Sequence, residues 1–264
     1  MWPVILHLGP LTIYSYGTMM AIAFLVAGWL VGLELERKGM PADFASTMVF
    51  WAAVGGIAGS KLWAIFDEPQ GLLVDPIGTV FSGSGFVWYG GLIGGTLAVT
   101  WTIWRHGLPW LAVVDCIAPA MALAHGIGRI GCQLAGDGDW GTITDVPWAM
   151  AYPAAITGWP YPPGVLVHPT PVYETLAYTV VFGILWSIRK RPHADGALLW
   201  WYLVLACGAR FVIEFWRINP TVAFGLSAAQ LTSLGLMTIG ATLLIARRGV
   251  TPHRLGRAAP AASR

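Results

Sequence analysis

The sequence contains few charged residues. Asp, Glu, Lys and Arg make up only 11% of its 264 residues, whereas 56% of the residues are hydrophobic. A soluble globular domain carries about 25% charged residues, so this composition excludes an ordinary soluble protein. The formal net charge of +2 is also too small to indicate a nucleic-acid-binding surface. The composition therefore predicts a protein of the lipid bilayer that has no nucleic-acid partner.

Cysteines and catalytic motifs are equally scarce. Cys116, Cys132 and Cys207 are spread along the chain without the spacing of a disulfide framework or a metal site. The sequence also lacks a Ser/His/Asp arrangement, a phosphate-binding loop and a nucleotide-binding fingerprint. We therefore expect free thiols, no bound metal and no cofactor.

The chain does have many long apolar runs. A helix of about 20 apolar residues is long enough to cross the hydrocarbon core of a bilayer. Seven runs are of this order, at residues 14–36, 45–66, 86–105, 111–131, 170–189, 197–217 and 226–247. They predict an all-α polytopic membrane protein, in which residues 1–264 form a single integral membrane domain with about seven transmembrane helices.

The positive charges indicate the orientation of these spans. Eleven of the 15 Lys and Arg residues lie at the ends of the first, third, fifth and seventh spans or in the basic tail 248–264. The opposite connections contain no Lys or Arg at all; they are 67–85, 132–168 and 218–225. Since positive charge stays cytoplasmic, we predict that the N-terminus is outside and that the C-terminus and its tail are cytoplasmic. The proline-rich connection 132–168 is predicted to form a small irregular extracytoplasmic cap.

Four cations remain, and all fall on or near the outer half of the spans: Lys61, Arg129, Arg210 and Arg217. A cation in the bilayer costs a few kcal/mol, so each needs a partner. One interpretation is a structural cluster of ion pairs that closes the helix bundle. The other is a phosphate-binding pocket, since the four cations outnumber the acids that we expect nearby. Glycines surround Arg129 in the sequence, and we predict that this residue holds an anionic lipid headgroup.

Two glutamates are candidates for partners of these cations. Glu214 follows Arg210 by four residues and precedes Arg217 by three, which places them on one helix face. Glu174 follows Thr170, which we predict to be an N-cap, so Glu174 could equally complement the helix dipole.

Histidines and tyrosines near the same end allow two interpretations each. His125 lies one turn before Arg129, and it is either a structural histidine or a neutral imidazole that accepts a proton. Tyr16 is either an interfacial belt residue or part of a pocket. His168 is more often a satisfied interfacial histidine than a catalyst. The small residues that precede Lys61 in the second span favour close helix packing.

Five sequence blocks occur in one order over nearly the whole chain. They are Tyr16-Gly17, Gly90-Gly91-Leu92-Ile93-Gly94, Gly128-Arg129-Ile130-Gly131 leading to Gly136-Asp137 and Trp140-Gly141, His168-Pro169 with Tyr173-Glu174, and Gly208-Ala209-Arg210-Phe211-Val212-Ile213-Glu214-Phe215-Trp216-Arg217. Together they resemble the bacterial prolipoprotein diacylglyceryl transferase family.

The resemblance implies a function and a site. Members of the family transfer the diacylglyceryl group of phosphatidylglycerol to the lipobox cysteine of a secreted preprotein, and release glycerol phosphate. The expected location is the bacterial inner membrane, with the active site toward the outer leaflet. By resemblance, Arg129 and Arg210 would bind the donor phosphate. Tyr16 and Asp137 would lie near the headgroup, and Glu214 and Arg217 would support the pocket.

Several positions depart from the family pattern. Tyr89 stands where the family usually has the histidine proposed as the base for the thiol, and Cys132 replaces an asparagine. Lys61 and Ala206 replace an arginine and a tyrosine. Either Tyr89 positions the donor while His125 or water takes the proton, or the acceptor chemistry has diverged. The alternative functions are a diverged member acting on another acceptor or anionic lipid, and a non-catalytic protein that binds or transports lipid.

Overall fold

The computed structural model describes residues 1–9, 11–81 and 85–247, and most of them are helical. The predicted tail 248–264 lies outside the described residues. The helices are α1 (Ser15–Arg37), α2 (Phe44–Asp67), α3 (Gln70–Val74), α4 (Pro76–Phe81), α5 (Trp88–Arg105), α6 (Trp110–Ala135), α7 (Thr170–Ile188), α8 (Ala197–Ile213) and α9 (Ala228–Ala246). One 3₁₀ turn, Glu214–Trp216, continues α8.

Six helices in the described part of the chain are long and apolar enough to cross a membrane: α1, α2, α6, α7, α8 with its 3₁₀ turn, and α9. This confirms an all-α polytopic membrane protein. The third predicted span is also a helix, since α5 has 18 residues, but it does not reach the same hydropathy. Its four glycines and three tryptophans lower the mean hydropathy of α5.

The chain divides into two compact units, one with residues 1–30 and 114–247 and one with residues 31–113. In the second unit, α2 and α5 pack backbone against backbone, which confirms the predicted close helix packing. A Cβ atom on Gly59 would lie 2.3 Å from the carbonyl oxygen of Gly90, and one on Gly94 would lie 2.2 Å from that of Gly55. No side chain larger than hydrogen fits between such helices.

The core of the first unit is built by α6, α7 and α8. Small residues on α6, Ala118 and Ala122, face larger ones on the other two helices, and the core also contains Tyr178, Val181, Leu185, Leu198, Tyr202 and Ala206. Because alanine is short, α7 and α8 can pack closely on α6. This packing brings together the C-terminal ends of α6 and α8 and the N-terminal end of α7.

Asp115, near the start of α6, caps the N-terminus of α8. Gly196 precedes α8 with a φ of 92° and supplies no side-chain cap. The Asp115 carboxylate instead accepts hydrogen bonds from the backbone N–H groups of Gly196, Leu198 and Leu199 at 2.8, 2.9 and 3.2 Å. A carboxylate from a distant part of the sequence thus satisfies the free amides at a helix start.

The non-helical part of the predicted cap begins at Gly136, because α6 continues through Ala135. Trp140, Tyr152 and Val167 are buried inside the cap, and Trp159 packs edge-on against Trp140. The Tyr152 hydroxyl donates to Gln133 Oε1 at 2.8 Å, and burial raises the pKa of Tyr152 to about 12. An aromatic core, rather than regular secondary structure, therefore holds the cap.

Two short hairpins were not predicted from the sequence. The first pairs β1 (Val4–Leu8) with β2 (Leu11–Tyr14) immediately before α1. The second pairs β3 (Thr221–Ala223) with β4 (Leu226–Ser227) between the 3₁₀ turn and α9. Ser227 then begins α9 with a capping box shared with Gln230. Strands this short give little signal in a mostly apolar sequence.

Candidate functional site

Three arginines and three carboxylates meet at one end of α6, α7 and α8, and we call this group the arginine cluster. Arg129 comes from α6, Glu174 from the first turns of α7, and Arg210 from the last turn of α8. Asp139 comes from the loop after α6, Glu214 from the 3₁₀ turn, and Arg217 follows that turn. The arginine cluster thus consists of Arg129, Asp139, Glu174, Arg210, Glu214 and Arg217.

Glu174 lies at the centre of the arginine cluster, and its side chain is fully buried. Its Oε2 atom pairs with the Nε atom of Arg129. Its Oε1 atom accepts from Arg210 Nη1 at 2.7 Å and from Arg217 Nη1 at 3.2 Å. One carboxylate therefore holds three guanidinium groups from two other helices and the turn after α8. Glu174 does more than complement the dipole of its own helix.

Glu214 is fixed by both charged and neutral partners. Its Oε2 atom lies 2.9 Å from Arg210 Nη2 and 3.5 Å from Arg217 Nε. Its Oε1 atom accepts from Ser227 Oγ and from Asn219 Nδ2, each at 2.7 Å. The pairing with Arg210 and Arg217 follows the one-face spacing that the sequence predicted. Ser227 belongs to the second hairpin, and Asn219 lies in the segment just before it. The sequence did not predict this hairpin.

Asp139 forms ion pairs with two arginines of the cluster, Arg129 and Arg217. One carboxylate oxygen pairs with Arg129 Nη1 and the other with Arg217 Nη2. The backbone carbonyl of Asp139 accepts from Arg217 Nη1 at 3.2 Å and also from the Thr170 hydroxyl. Burial alone would raise the pKa of the Asp139 carboxyl. Arg129 and Arg217 outweigh that effect, so the pKa of Asp139 lies below its ordinary value.

The expected surplus of cations over acids is wrong for the arginine cluster. Three arginines face three carboxylates, because Asp139 returns from the cap to the ends of the helices. An ion inside a membrane protein needs a charged or polar partner, and this pairing provides one for each. The fourth cation, Lys61, belongs to the other unit.

The predicted N-cap role of Thr170 is also wrong. Pro169 occupies the cap position, Thr170 is the first helical residue, and no side chain caps α7. The Thr170 hydroxyl instead donates to the carbonyl of Asp139 and ties the cap loop to α7. A buried hydroxyl takes whichever acceptor the packing brings within reach, and here it comes from 31 residues away.

Tyr16, Cys132 and Asp137 surround the Arg129 side of the arginine cluster. Tyr16 packs against Gly131, where a Cβ atom would lie 3.4 Å from the Tyr16 Cα. The Cys132 thiol lies 3.7 Å from Arg129 Nη1. Asp137 forms no ion pair with an arginine in the described part of the chain. Its burial and the charge of Asp139 raise the pKa of its carboxyl above the ordinary value.

Only one group of potential metal ligands occurs in the described residues. The ligand atoms of Cys132, Asp137 and Asp139 lie within 4.8 Å of one another. Both carboxylate oxygens of Asp139 already pair with arginines, however. A cation at this place would have to compete with two guanidinium groups.

His125 lies one turn before Arg129 on α6 and outside the arginine cluster. Its Nδ1 atom is 2.8 Å from the hydroxyl of Tyr202, and its ring packs 5.2 Å from that of Tyr178. The side chain nevertheless keeps an exposed face. One ring nitrogen is therefore engaged in the helix core, while Nε2 has no partner among the described residues.

The alignment of the whole chain identifies the family. The family model described as prolipoprotein diacylglyceryl transferase matches residues 3–246. The chain belongs to this family. A protein of Chromohalobacter salexigens is 34% identical over 242 residues, which cover 90% of this chain and 87% of that protein. A protein of Clostridium tetani is 32% identical over 243 residues, which cover 91% and 95%. Both relatives are named phosphatidylglycerol–prolipoprotein diacylglyceryl transferase.

The prolipoprotein diacylglyceryl transferase blocks around His168 form a chain of hydrogen bonds in this structure. Trp148 Nε1 donates to the hydroxyl of Tyr173 at 2.6 Å, and that hydroxyl lies 2.9 Å from His168 Nδ1. The Tyr173 hydroxyl therefore links Trp148 of the predicted cap to His168.

Two predicted site residues, Lys61 and Tyr89, belong to the second unit. The Lys61 ammonium is buried and lies 5.0 Å from the centre of the Phe86 ring. Tyr89 is 40% exposed, and its ring meets that of Trp88 edge-on at 5.2 Å. Neither residue is part of the arginine cluster.

Asp139 is the cluster residue that sequence reasoning missed. The resemblance directs attention to Asp137, which is one of the residues in the quoted blocks. The sequence offered one further signal, because a second acid follows Asp137 by two residues in the same loop. The loop places Asp139, rather than Asp137, against the arginines.

Proposed function

We propose that this protein transfers the diacylglyceryl group of phosphatidylglycerol to the thiol of the lipobox cysteine in prolipoproteins. The relatives are named for this donor and this acceptor. One observation carries the proposal to this chain. A family match over residues 3–246 is accompanied by a set of arginines, gathered at one end of the helices, that can bind a phosphate.

The chemistry explains why arginines are suited to this site. The thiol sulfur attacks the glyceryl carbon that carries the phosphate, so an S–C bond forms and the C–O bond to the phosphate breaks. The thiol proton passes to a base, and glycerol phosphate leaves. The phosphodiester starts with one negative charge and the departing phosphomonoester tends toward two. Fixed cations stabilise this growing charge in the transition state.

Arg129 and Arg210 are the arginines best suited to hold the phosphate. Their side chains are 25% and 19% exposed, whereas that of Arg217 is only 7% exposed. Arg129 Nη2 and Arg210 Nε have no partner among the described residues, so both guanidinium groups keep a donor for a ligand. Glu174 holds the two arginines together, and we assign Glu174, Glu214 and Arg217 the supporting role.

The thiol proton needs an acceptor, and His125 and water are the candidates. His125 keeps an exposed face next to Arg129 on the same helix, which supports it as the base. Tyr89 and Lys61 belong to the second unit, and their role at the donor stays a prediction from the sequence. Tyr16, Asp137 and His168 are the remaining candidates for contacts with the headgroup or the acceptor.

The placement in the membrane completes the proposal. We place the N-terminus and the cap outside, the C-terminus in the cytoplasm, and α5 across the bilayer as a seventh span. The distribution of Lys and Arg supports this orientation. The arginine cluster then faces the outer leaflet of the bacterial inner membrane, where secreted prolipoproteins emerge.

The test uses the purified full-length protein in phosphatidylglycerol vesicles with a lipobox peptide, and mass spectrometry of the peptide. Wild-type protein should add one diacylglyceryl group in a thioether bond. Arg129→Ala and Arg210→Ala should each lower the rate by about 10²–10³-fold, as expected when a donor to a developing oxyanion is lost. Arg191→Ala, an exposed arginine outside the cluster, is the matched control and should keep the wild-type rate.

Two outcomes would reject the proposal. Undiminished lipidation by both arginine variants would remove their assigned role. Binding of phosphatidylglycerol without any product would instead favour a lipid-binding or transport protein. A peptide whose lipobox cysteine is replaced by serine serves as the acceptor control and should remain unmodified.

A further inference from the structure

Asp139 occupies the position in the arginine cluster that a bound anion would need. It bridges Arg129 and Arg217 with one carboxylate oxygen on each. The oxygens of a phosphate held by Arg129 and Arg210 could take over these contacts as well. We propose that Asp139 holds the headgroup subsite in the free enzyme and is exchanged for the phosphate of the lipid donor; this rests on the proposed function.

The three carboxylates of the cluster differ in how easily they could leave. The side chains of Glu174 and Glu214 are 0% and 1% exposed, whereas that of Asp139 is 27% exposed. Glu214 is also held by Ser227 and Asn219, and Glu174 binds three arginines. The ion pairs of Asp139 are with Arg129 and Arg217 alone in the described chain. Asp139 is therefore the carboxylate that solvent or a ligand can reach.

The backbone around Asp139 also permits movement. Gly136 and Gly138 have φ values of 62° and 93°, in the region that favours glycine. Gly136 is packed against Ala155, but a Cβ atom on Gly138 would still lie 3.8 Å from Thr157 Oγ1, so the backbone next to Asp139 has room to change its torsion angles. The loop is anchored at and after Asp139, where the Thr170 hydroxyl donates to the Asp139 carbonyl and the Gly141 N–H donates to the His168 carbonyl at 2.8 Å.

Charge favours exchange over simple addition. The free cluster contains three guanidinium groups and three carboxylates. A phosphodiester carries one negative charge, so replacing the Asp139 carboxylate leaves this balance unchanged. Adding the lipid without exchange would place four anions around three cations, and one anion would lack a partner at the edge of the membrane. The pKa of Asp139 lies below its ordinary value, so the carboxylate is ionised at neutral pH and cannot leave by protonation.

A purely structural role for Asp139 makes the opposite prediction. If Asp139 only orients Arg129 and Arg217, its removal should weaken lipid binding. If Asp139 competes with the lipid, its removal should strengthen lipid binding. The sign of the change in affinity therefore separates the two roles.

The experiment measures phosphatidylglycerol binding directly and the apparent KM for this lipid, with full-length protein in nanodiscs of phosphatidylcholine. Asp139→Asn should tighten binding and lower the KM by about 3–10-fold, which corresponds to about 1 kcal/mol. Thr170→Val loosens the anchor of the Asp139 loop and should change the KM in the same direction by a smaller factor. Asp145→Asn, an exposed acid elsewhere in the cap, is the matched control and should leave both quantities unchanged.

Unchanged or weaker lipid binding by both Asp139→Asn and Thr170→Val would overturn the exchange. Measurement of the unfolding midpoint identifies a variant that fails to fold, and Thr170→Val then decides the result by itself. Failure of the proposed function is recognised separately, because it would show as the absence of thioether product in wild-type protein. Tighter lipid binding by Asp139→Asn would still support the exchange in that case.

Discussion

Asp115 and Glu174 are both fully buried carboxylates of the same unit, and their partners are of opposite kinds. Asp115 binds three backbone amides at the start of α8, with His193 Nε2 3.6 Å away. Glu174 binds the guanidinium groups of three arginines. Each carboxylate joins two or more helices that lie far apart in the sequence.

The two sets of partners differ in whether any of their hydrogen-bond donors remain exposed and unused. The amides bound by Asp115 belong to the backbone of α8, and they are fully used in capping that helix. Two of the arginines bound by Glu174, Arg129 and Arg210, remain partly exposed and keep donors without partners in the described chain. We therefore expect the exposure of the partners, rather than the burial of the carboxylate, to distinguish a structural site from a functional one.

The largest effect should come from Glu174→Gln. The change leaves three arginines with two carboxylates, and loss of one member of a buried ion pair costs about 3–5 kcal/mol. Lipidation should fall at least about 100-fold even in the protein that remains folded, because Arg129 and Arg210 lose their common anchor. Thermal unfolding and the peptide assay measure the two effects. Glu36→Gln, an exposed glutamate of α1, is the control, and wild-type lipidation by Glu174→Gln would contradict the comparison.

Asp115→Asn should have the next largest effect, and on stability alone. In wild-type protein Oδ1 accepts from two N–H groups at the start of α8, and Oδ2 accepts from a third. The asparagine side chain keeps only one acceptor oxygen and carries no negative charge. We expect a loss of about 1–3 kcal/mol in the free energy of unfolding. Activity per folded molecule should remain at the wild-type level. A selective fall in kcat with unchanged stability would show that the two carboxylates are not as different as their partners suggest.

The smallest effect should come from Asp137→Asn, which tests a carboxylate that pairs with no arginine among the described residues. Its pKa in the folded protein is raised by burial and by the charge of Asp139, so the ionised form destabilises the fold. The penalty is present at neutral pH and disappears below the unfolded-state pKa of about 3.9. The variant should therefore unfold at a slightly higher temperature than wild type at pH 7, and the difference should vanish in acid. A lower unfolding temperature at pH 7 would contradict this reading of Asp137.

The sequence predicted which arginines come together better than it predicted their acidic partners. Arg129, Arg210, Arg217 and two of their partners could be predicted, because charges are rare in apolar helices and each needs a reason to be there. The surplus of cations was wrong, since the third acid comes from an irregular loop whose course no periodic pattern describes. Thr170 was assigned to a helix cap on local grounds, but a distant carbonyl took its hydroxyl.

The amino-acid sequence by itself determined a helical membrane protein, six of its apolar helices and its family, because apolar length and ordered motifs are properties of neighbouring residues. Only the tertiary structure decided which acid meets which arginine, and that Asp115 caps a helix that begins 82 residues further on. These pairings depend on how helices and loops from distant parts of the chain pack together. Contacts of this kind are set by three-dimensional distance, which a single sequence does not contain.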